Sequence, residues 1–180
     1  GPGNQYVTKA KQLISQEGIA IDMPAGPSEV LIIADEFANP AYVAADLLSQ
    51  AEHGADSQVV LTTTNVQMIS QVMEEIEKQV LELPRQEIAR AALSNSLCIT
   101  FDTKPGLIQF VNEFAAEHLI INTKDCETLV DQIVNAGSIF LGPYTPEAAG
   151  DYASGTNHTL PTNGFAKAFG GVALESFMKY

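Results

Sequence analysis

Glu29-Val-Leu-Ile-Ile-Ala34 is the run that decides the fold: six residues, β-branched and nearly continuous in apolar character, opened by an acid and preceded by the tight Ala25-Gly-Pro-Ser28. A strand exposed on one face alternates polar and apolar residues, whereas this run does not, so it reads as a strand buried on both faces of a parallel sheet. Four further runs share the pattern: Gln58-Val-Val-Leu-Thr-Thr63, Leu97-Cys-Ile-Thr-Phe101, His118-Leu-Ile-Ile-Asn122 and Ser138-Ile-Phe-Leu141. Between them lie helical periods. Asn39-Pro40 supplies an N-cap and a first-turn proline for a helix running to about His53. Ile69, Val72, Met73, Ile76 and Val80 form one apolar stripe, and Leu107, Ile108, Val111, Phe114 and Ala115 another. A helix near Gln5–Gln16 precedes the first strand. The alternation predicts an α/β fold, a three-layer sandwich whose mostly parallel, Rossmann-like sheet is flanked by helices.

Composition agrees and narrows the function. The chain has 180 residues, 46% hydrophobic and 17% charged, which suits one globular unit burying roughly 70% of its unfolded surface. No apolar run approaches the ~18 residues that cross a bilayer, and no charged and apolar leader opens the chain, so a cytoplasmic location is expected. Nine Lys and Arg against 22 Asp and Glu leave a net charge of −13. Nucleic acid and anionic membrane surfaces both demand a basic footprint, so neither is expected as a partner. Cys98 and Cys126 fit no zinc-ribbon spacing and no disulfide is expected; Cys126 continues a helical stripe with Leu129, Val130 and Ile133.

From Gly142 onward the chain is dense in turn formers and polar groups, which describes either a plain meander or a loop-built site. Ligands of open α/β sheets bind beyond the carboxyl ends of the strands. Several residues here carry chemistry. Gln50 and His53 lie three apart at a helix end, so they project on one face, where an amide oxygen and an imidazole can share a metal. The spacing alone equally describes a histidine favoured by the helix dipole, and on spacing that plainer reading is preferred. Glu117-His118 opens a strand, and at a strand mouth both side chains can reach one crevice as an acid/base pair. As a dipeptide it also describes an exposed Glu beside a satisfied His. Asp151, in Gly150-Asp-Tyr-Ala-Ser-Gly155, is either an Asx turn former or a hard oxygen ligand. His158 reads as structural or supporting. Ser28 sits on rigid backbone between a turn and a strand. No Gly-x-Gly-x-x-Gly or Walker loop is present.

Taken together, six blocks run through the chain in order: Gly1-Pro-Gly-Asn-Gln-Tyr-Val-Thr8, Ile21-Asp-Met-Pro-Ala-Gly-Pro-Ser-Glu-Val30, Ala45-Asp-Leu-Leu-Ser-Gln-Ala-Glu-His53, Ala116-Glu-His-Leu-Ile120, Asn135-Ala-Gly-Ser-Ile-Phe-Leu-Gly142 and Gly150-Asp-Tyr-Ala-Ser-Gly-Thr-Asn-His158. On these blocks the chain resembles the histidinol dehydrogenase family. The resemblance implies an oxidoreductase of histidine biosynthesis that takes L-histidinol to L-histidine in two NAD-dependent steps through an aldehyde, with bound zinc, as a homodimer. By motif it implies zinc ligands at Gln50, His53 and Asp151, and a substrate contact at Ser28. It implies an acid/base pair in which His118 handles the hydroxyl proton and Glu117 activates water, and an NAD contact at Asn4. The substrate would lie among Ser28, Gln50, His53, Glu117, His118 and Asp151.

The family's proteins are more than twice as long as this chain. The resemblance therefore implies a central and C-terminal portion, without the N-terminal part that supplies most of the NAD site or the tail that supplies a last zinc ligand across the dimer. Residues 1–20 would be a helical segment left from a preceding domain, and 21–180 the α/β domain carrying most of the active site. Such a chain is expected to fold yet turn over little histidinol. The alternative is a non-catalytic α/β scaffold or binding domain that keeps the family fold.

Overall fold

The computed structural model describes residues 5–179, apart from the side chains of Gln5 and Asp151. Five strands, β1 (Glu29–Ala34), β2 (Gln58–Thr63), β3 (Leu97–Thr100), β4 (His118–Asn122) and β5 (Ser138–Leu141), form one all-parallel sheet in the order β3-β2-β1-β4-β5. The predicted α/β fold is therefore present. β1 lies at the centre and every residue in it is buried, as its unbroken apolar run requires.

Successive side chains of the central strands feed opposite cores. Val30, Ile32, Val59, Leu61 and Ile120 meet the helices α2 (Pro40–Ala51), α3 (Val66–Gln79) and α4 (Gln86–Leu93). Leu31, Ile33, Val60, Leu119 and Ile121 meet α5 (Lys104–Phe114) and α6 (Cys126–Leu129). The three layers follow from this alternation. Earlier in the chain, α1 (Gln5–Gln16) is tied down by an ion pair from Lys11 to Asp22 at 2.7 Å and by the Thr8 hydroxyl donating to the Ala25 carbonyl.

Three details depart from the sequence reading. α2 stops at Ala51, with Glu52 as its C-cap, so His53 lies just past the helix and not within its last turn. β3 is an edge strand with a single neighbour, and Leu97 and Cys98 are exposed where burial on both faces was expected. α4 was not anticipated, because eight residues present too little apolar period to register. Both cysteines are free thiols. No described helix is long and apolar enough to cross a membrane.

The path of α2 places the site. It links two parallel strands, starting from the carboxyl edge of the sheet and ending back at the amino edge. Its Asn39 cap, accepting from the Ala41 amide at 3.0 Å, fixes the start; its far end carries Ser49, Gln50 and the exit to His53. The tail after Gly142 also returns to the amino edge, where Thr162 Oγ1 accepts from the Gly26 amide at 2.6 Å and Asn163 N–H donates to Glu29 at 3.1 Å. It is a loop-built cover and not a meander, and it serves the edge opposite to the one where open α/β sheets usually bind ligands.

Candidate active site at the amino edge of the sheet

Glu117 and His118 stand where β4 begins, beside the start of β1. Strand alternation sends them to opposite faces, yet at the sheet edge they meet: His118 Nδ1 is 3.7 Å from Glu117 Oε2. His118 Nδ1 also lies 3.3 Å from the Glu29 carbonyl, which assigns the ring proton to that nitrogen and the lone pair to Nε2. Nε2 is 4.0 Å from Glu147 Oε1. Both members of the predicted acid/base pair are buried, at 5% exposure for Glu117 and 7% for His118. Ser28 shares a cavity with Glu117 and favours its charged form, so the predicted substrate contact is part of the same cluster.

Burial sets the electrostatics. Removal from water pushes the Glu117 carboxyl up to about 8, and the charges of Glu29 and Glu147 push in the same direction. Glu29 is pushed up to about 7 by burial, against two backbone N–H donors that favour its charged form. Asp46, on α2, is raised to about 6 by burial and by the Glu147 charge, against the nearby Glu147 main chain, which favours its charged form.

Glu147 ties this cluster to the end of α2. It precedes the short α7 (Ala148–Tyr152) and is only 1% exposed, with its Oε2 accepting from Ser49 Oγ at 3.2 Å. His53 Nδ1 lies 3.1 Å from the Ser49 carbonyl, which leaves the lone pair on Nε2. His53, Ser49, Glu147 and Tyr152 line one cleft of about 330 Å³. Gln50 is fully buried, and neither its amide oxygen nor its amide nitrogen has a hydrogen-bond partner. An orphaned buried amide is costly, and a cation bound by its oxygen would satisfy that atom. An amide oxygen, an imidazole Nε2 and a carboxylate make a donor set that suits zinc. The residues present therefore fit the metal that the resemblance implies. Asp151 lies in α7, one turn beyond Glu147, and its side chain is outside the described residues. Among the described residues no three His, Cys, Asp or Glu side chains gather to hold a metal, and the implied set is not of that kind, since it draws on an amide and on Asp151.

Asn4 lies outside the described residues. His158 is exposed and lines a cavity of about 130 Å³ with Ser28, Glu117 and Thr162. A larger apolar cavity of about 490 Å³ lies elsewhere, between α3, α4 and β3, and its only charged lining is the exposed Glu77–Arg90 pair. Its position away from every group above removes it from the chemistry.

Sequence reading missed Glu29, Asp46 and Glu147. Glu29 carries a faint signal, an acid opening an otherwise apolar buried strand. Glu147 and Asp46 carry none locally, because each looks like an ordinary helix-flanking or helix-surface acid.

The family model described as histidinol dehydrogenase matches residues 1–180. A histidinol dehydrogenase of Bacteroides fragilis is 59% identical over 179 residues, which is 99% of this chain and 42% of that protein. The Arabidopsis thaliana protein named histidinol dehydrogenase, chloroplastic, is 57% identical over 183 residues, covering 100% of this chain and 39% of its own length. The crystal structure of histidinol dehydrogenase from Elizabethkingia anophelis superposes with a TM-score of 0.93 at 58% identity, over 99% of this chain and 41% of that one. The chain thus spans about two-fifths of the length of these relatives. By the extent and identity of these matches, the chain belongs to the histidinol dehydrogenase family.

Proposed function

We propose that this chain carries the proton-transfer groups and three of the zinc-holding groups of an enzyme that oxidises L-histidinol to L-histidine with two NAD. The observation that carries the reading is the buried Glu117–His118–Glu147 cluster, tied through Ser49 to the end of α2, where the Gln50 amide is buried and unpartnered.

The residues divide the work by position. His118 takes the hydroxyl proton of histidinol on Nε2, while its Nδ1–H keeps donating to the Glu29 carbonyl. The imidazolium that results is stabilised by Glu147, 4.0 Å away. Glu117, pushed up to about 8, accepts a proton from the water that adds to the aldehyde, and a base of that strength is matched to neutral or mildly alkaline operation. Ser28 orients Glu117 and stands within reach of a substrate in the same cavity. Gln50, His53 and Asp151 would hold the zinc. When bound, zinc supplies a Lewis acid that fixes the imidazole and amine of the substrate, and NAD supplies the hydride acceptor. The acidic balance of the chain favours a cationic substrate.

The test is L-histidinol binding to the zinc-loaded chain, followed by calorimetry. Saturable binding that His118→Ala weakens about tenfold supports the reading, since that loss corresponds to one hydrogen bond to a polar ligand group. A wild-type chain that binds no histidinol would overturn it and leave the non-catalytic scaffold. NADH formation by the chain alone is expected to be slight, because the position implied for NAD contact, Asn4, is a single residue and the chain covers two-fifths of its relatives.

A further inference from the structure

The Glu29 side chain has no part in the proton transfers above, yet it is the carboxyl most closely bound to Glu117. Val30 pairs with His118 in the parallel register, so Glu29 and Glu117 stand side by side one position earlier, at the mouths of neighbouring strands. Their bonds are reciprocal. The Glu29 amide donates to Glu117 Oε2 at 3.0 Å, and the Glu117 amide donates to Glu29 Oε1 at 3.3 Å. The Asn163 amide, brought in by the tail, donates to the same Glu29 oxygen at 3.1 Å. Glu29 is 4% exposed.

We infer that Glu29 is a positioning residue for Glu117: it clasps the base through paired main-chain bonds and sets its own carboxyl against it, so that the two act as a coupled pair. The inference rests on the water-activating role proposed for Glu117. Two carboxylates this close and this dry cannot both ionise without cost. Glu29 accepts two amide donors and titrates first, near 7; its charge then opposes ionisation of Glu117, near 8. They titrate as a pair, in two macroscopic steps. Other groups face them. His118 at 3.7 Å and Glu147 act on Glu117 from β4 and from the N-cap of α7, His158 lines the Glu117 cavity, and Asp56 lines the cleft on the Glu29 side. All four are retained when Glu29 alone is changed.

Carboxyl-carbon NMR titration of the chain under chelator tests this directly. Glu29→Gln keeps an acceptor oxygen for both amides and removes the charge. The Glu117 midpoint is expected to fall by about one pH unit or more. Glu29→Asp, which keeps the charge, should hold that midpoint within about half a unit of wild type. A Glu117 midpoint unchanged in a folded Glu29→Gln chain overturns the inference. If that variant does not fold, the carboxyl titrations of the wild-type pair decide: two independent single-step curves, with no inflection of the Glu117 signal as Glu29 ionises, overturn it as well. The readout needs no histidinol, NAD or zinc, so a coupled pair in a chain that fails to bind histidinol overturns the functional reading alone.

Discussion

At the scale of residues, the site is a group of carboxyls kept from water. Glu29 and Glu117 each have an ordinary value near 4.5 and are held at about 7 and about 8 in the folded chain. Between those limits the folded state binds more protons than the unfolded state, so stability falls as pH rises. The contribution is whole below the unfolded value and is lost as pH passes through 7 to 8. Each unit of separation is worth about 1.4 kcal/mol, so the two together amount to several kcal/mol. Urea unfolding is expected to show a chain markedly more stable at about pH 5.5 than at about pH 8, with the difference reduced in Glu29→Gln. A midpoint that rises across that range would contradict the burial account. Glu117 and His118 gave only a weak signal as a dipeptide at a strand start, and it was the family resemblance that implied their roles. Their neighbours were not visible there, since Glu29 and Glu117 are 88 positions apart and only register joins them.

At the scale of elements, strand starts do the positioning. The Gly137 amide donates to the Ala116 carbonyl at 2.9 Å, and the Ser138 amide to that of Glu117 at 2.8 Å, so the opening of β5 grips the backbone of the base. Gly137 is required there, because a Cβ on it would lie 2.5 Å from the Glu117 carbonyl oxygen. Backbone on both sides leaves nothing flexible to give way. Gly137→Ala is expected to destabilise the chain by about 1–3 kcal/mol and to shift the amide resonances of Glu117 and His118. A stability within about 0.5 kcal/mol of wild type would show that the strand mouth yields. The strand boundaries themselves were legible, since an apolar β-branched run has sharp ends. The exposure of β3 was not, because Leu97-Cys-Ile-Thr100 reads the same at an edge as in the middle of a sheet. The end of α2 was misplaced by two residues, and His53 consequently emerges from a turn, exposed, while Gln50 stays buried.

At the scale of the whole molecule, the order β3-β2-β1-β4-β5 makes the site. It sets the first strand against the fourth, returns α2 to the amino edge, and leaves the tail to close over that edge with Thr162 and Asn163. None of this is local, and so the layers could be read from periodicity while the location of the site could not. The topology gathers Ser28, Glu117 and His118 in one cluster, with Gln50 and His53 at the neighbouring helix end. The central claim is that this helix end is a metal site. Zinc titration of the metal-free chain at neutral pH, read by calorimetry, tests it most directly. The account predicts one zinc per chain with micromolar or tighter affinity, lost in His53→Ala and in Gln50→Ala. No uptake by the wild-type chain, or equal uptake by all three, would contradict it.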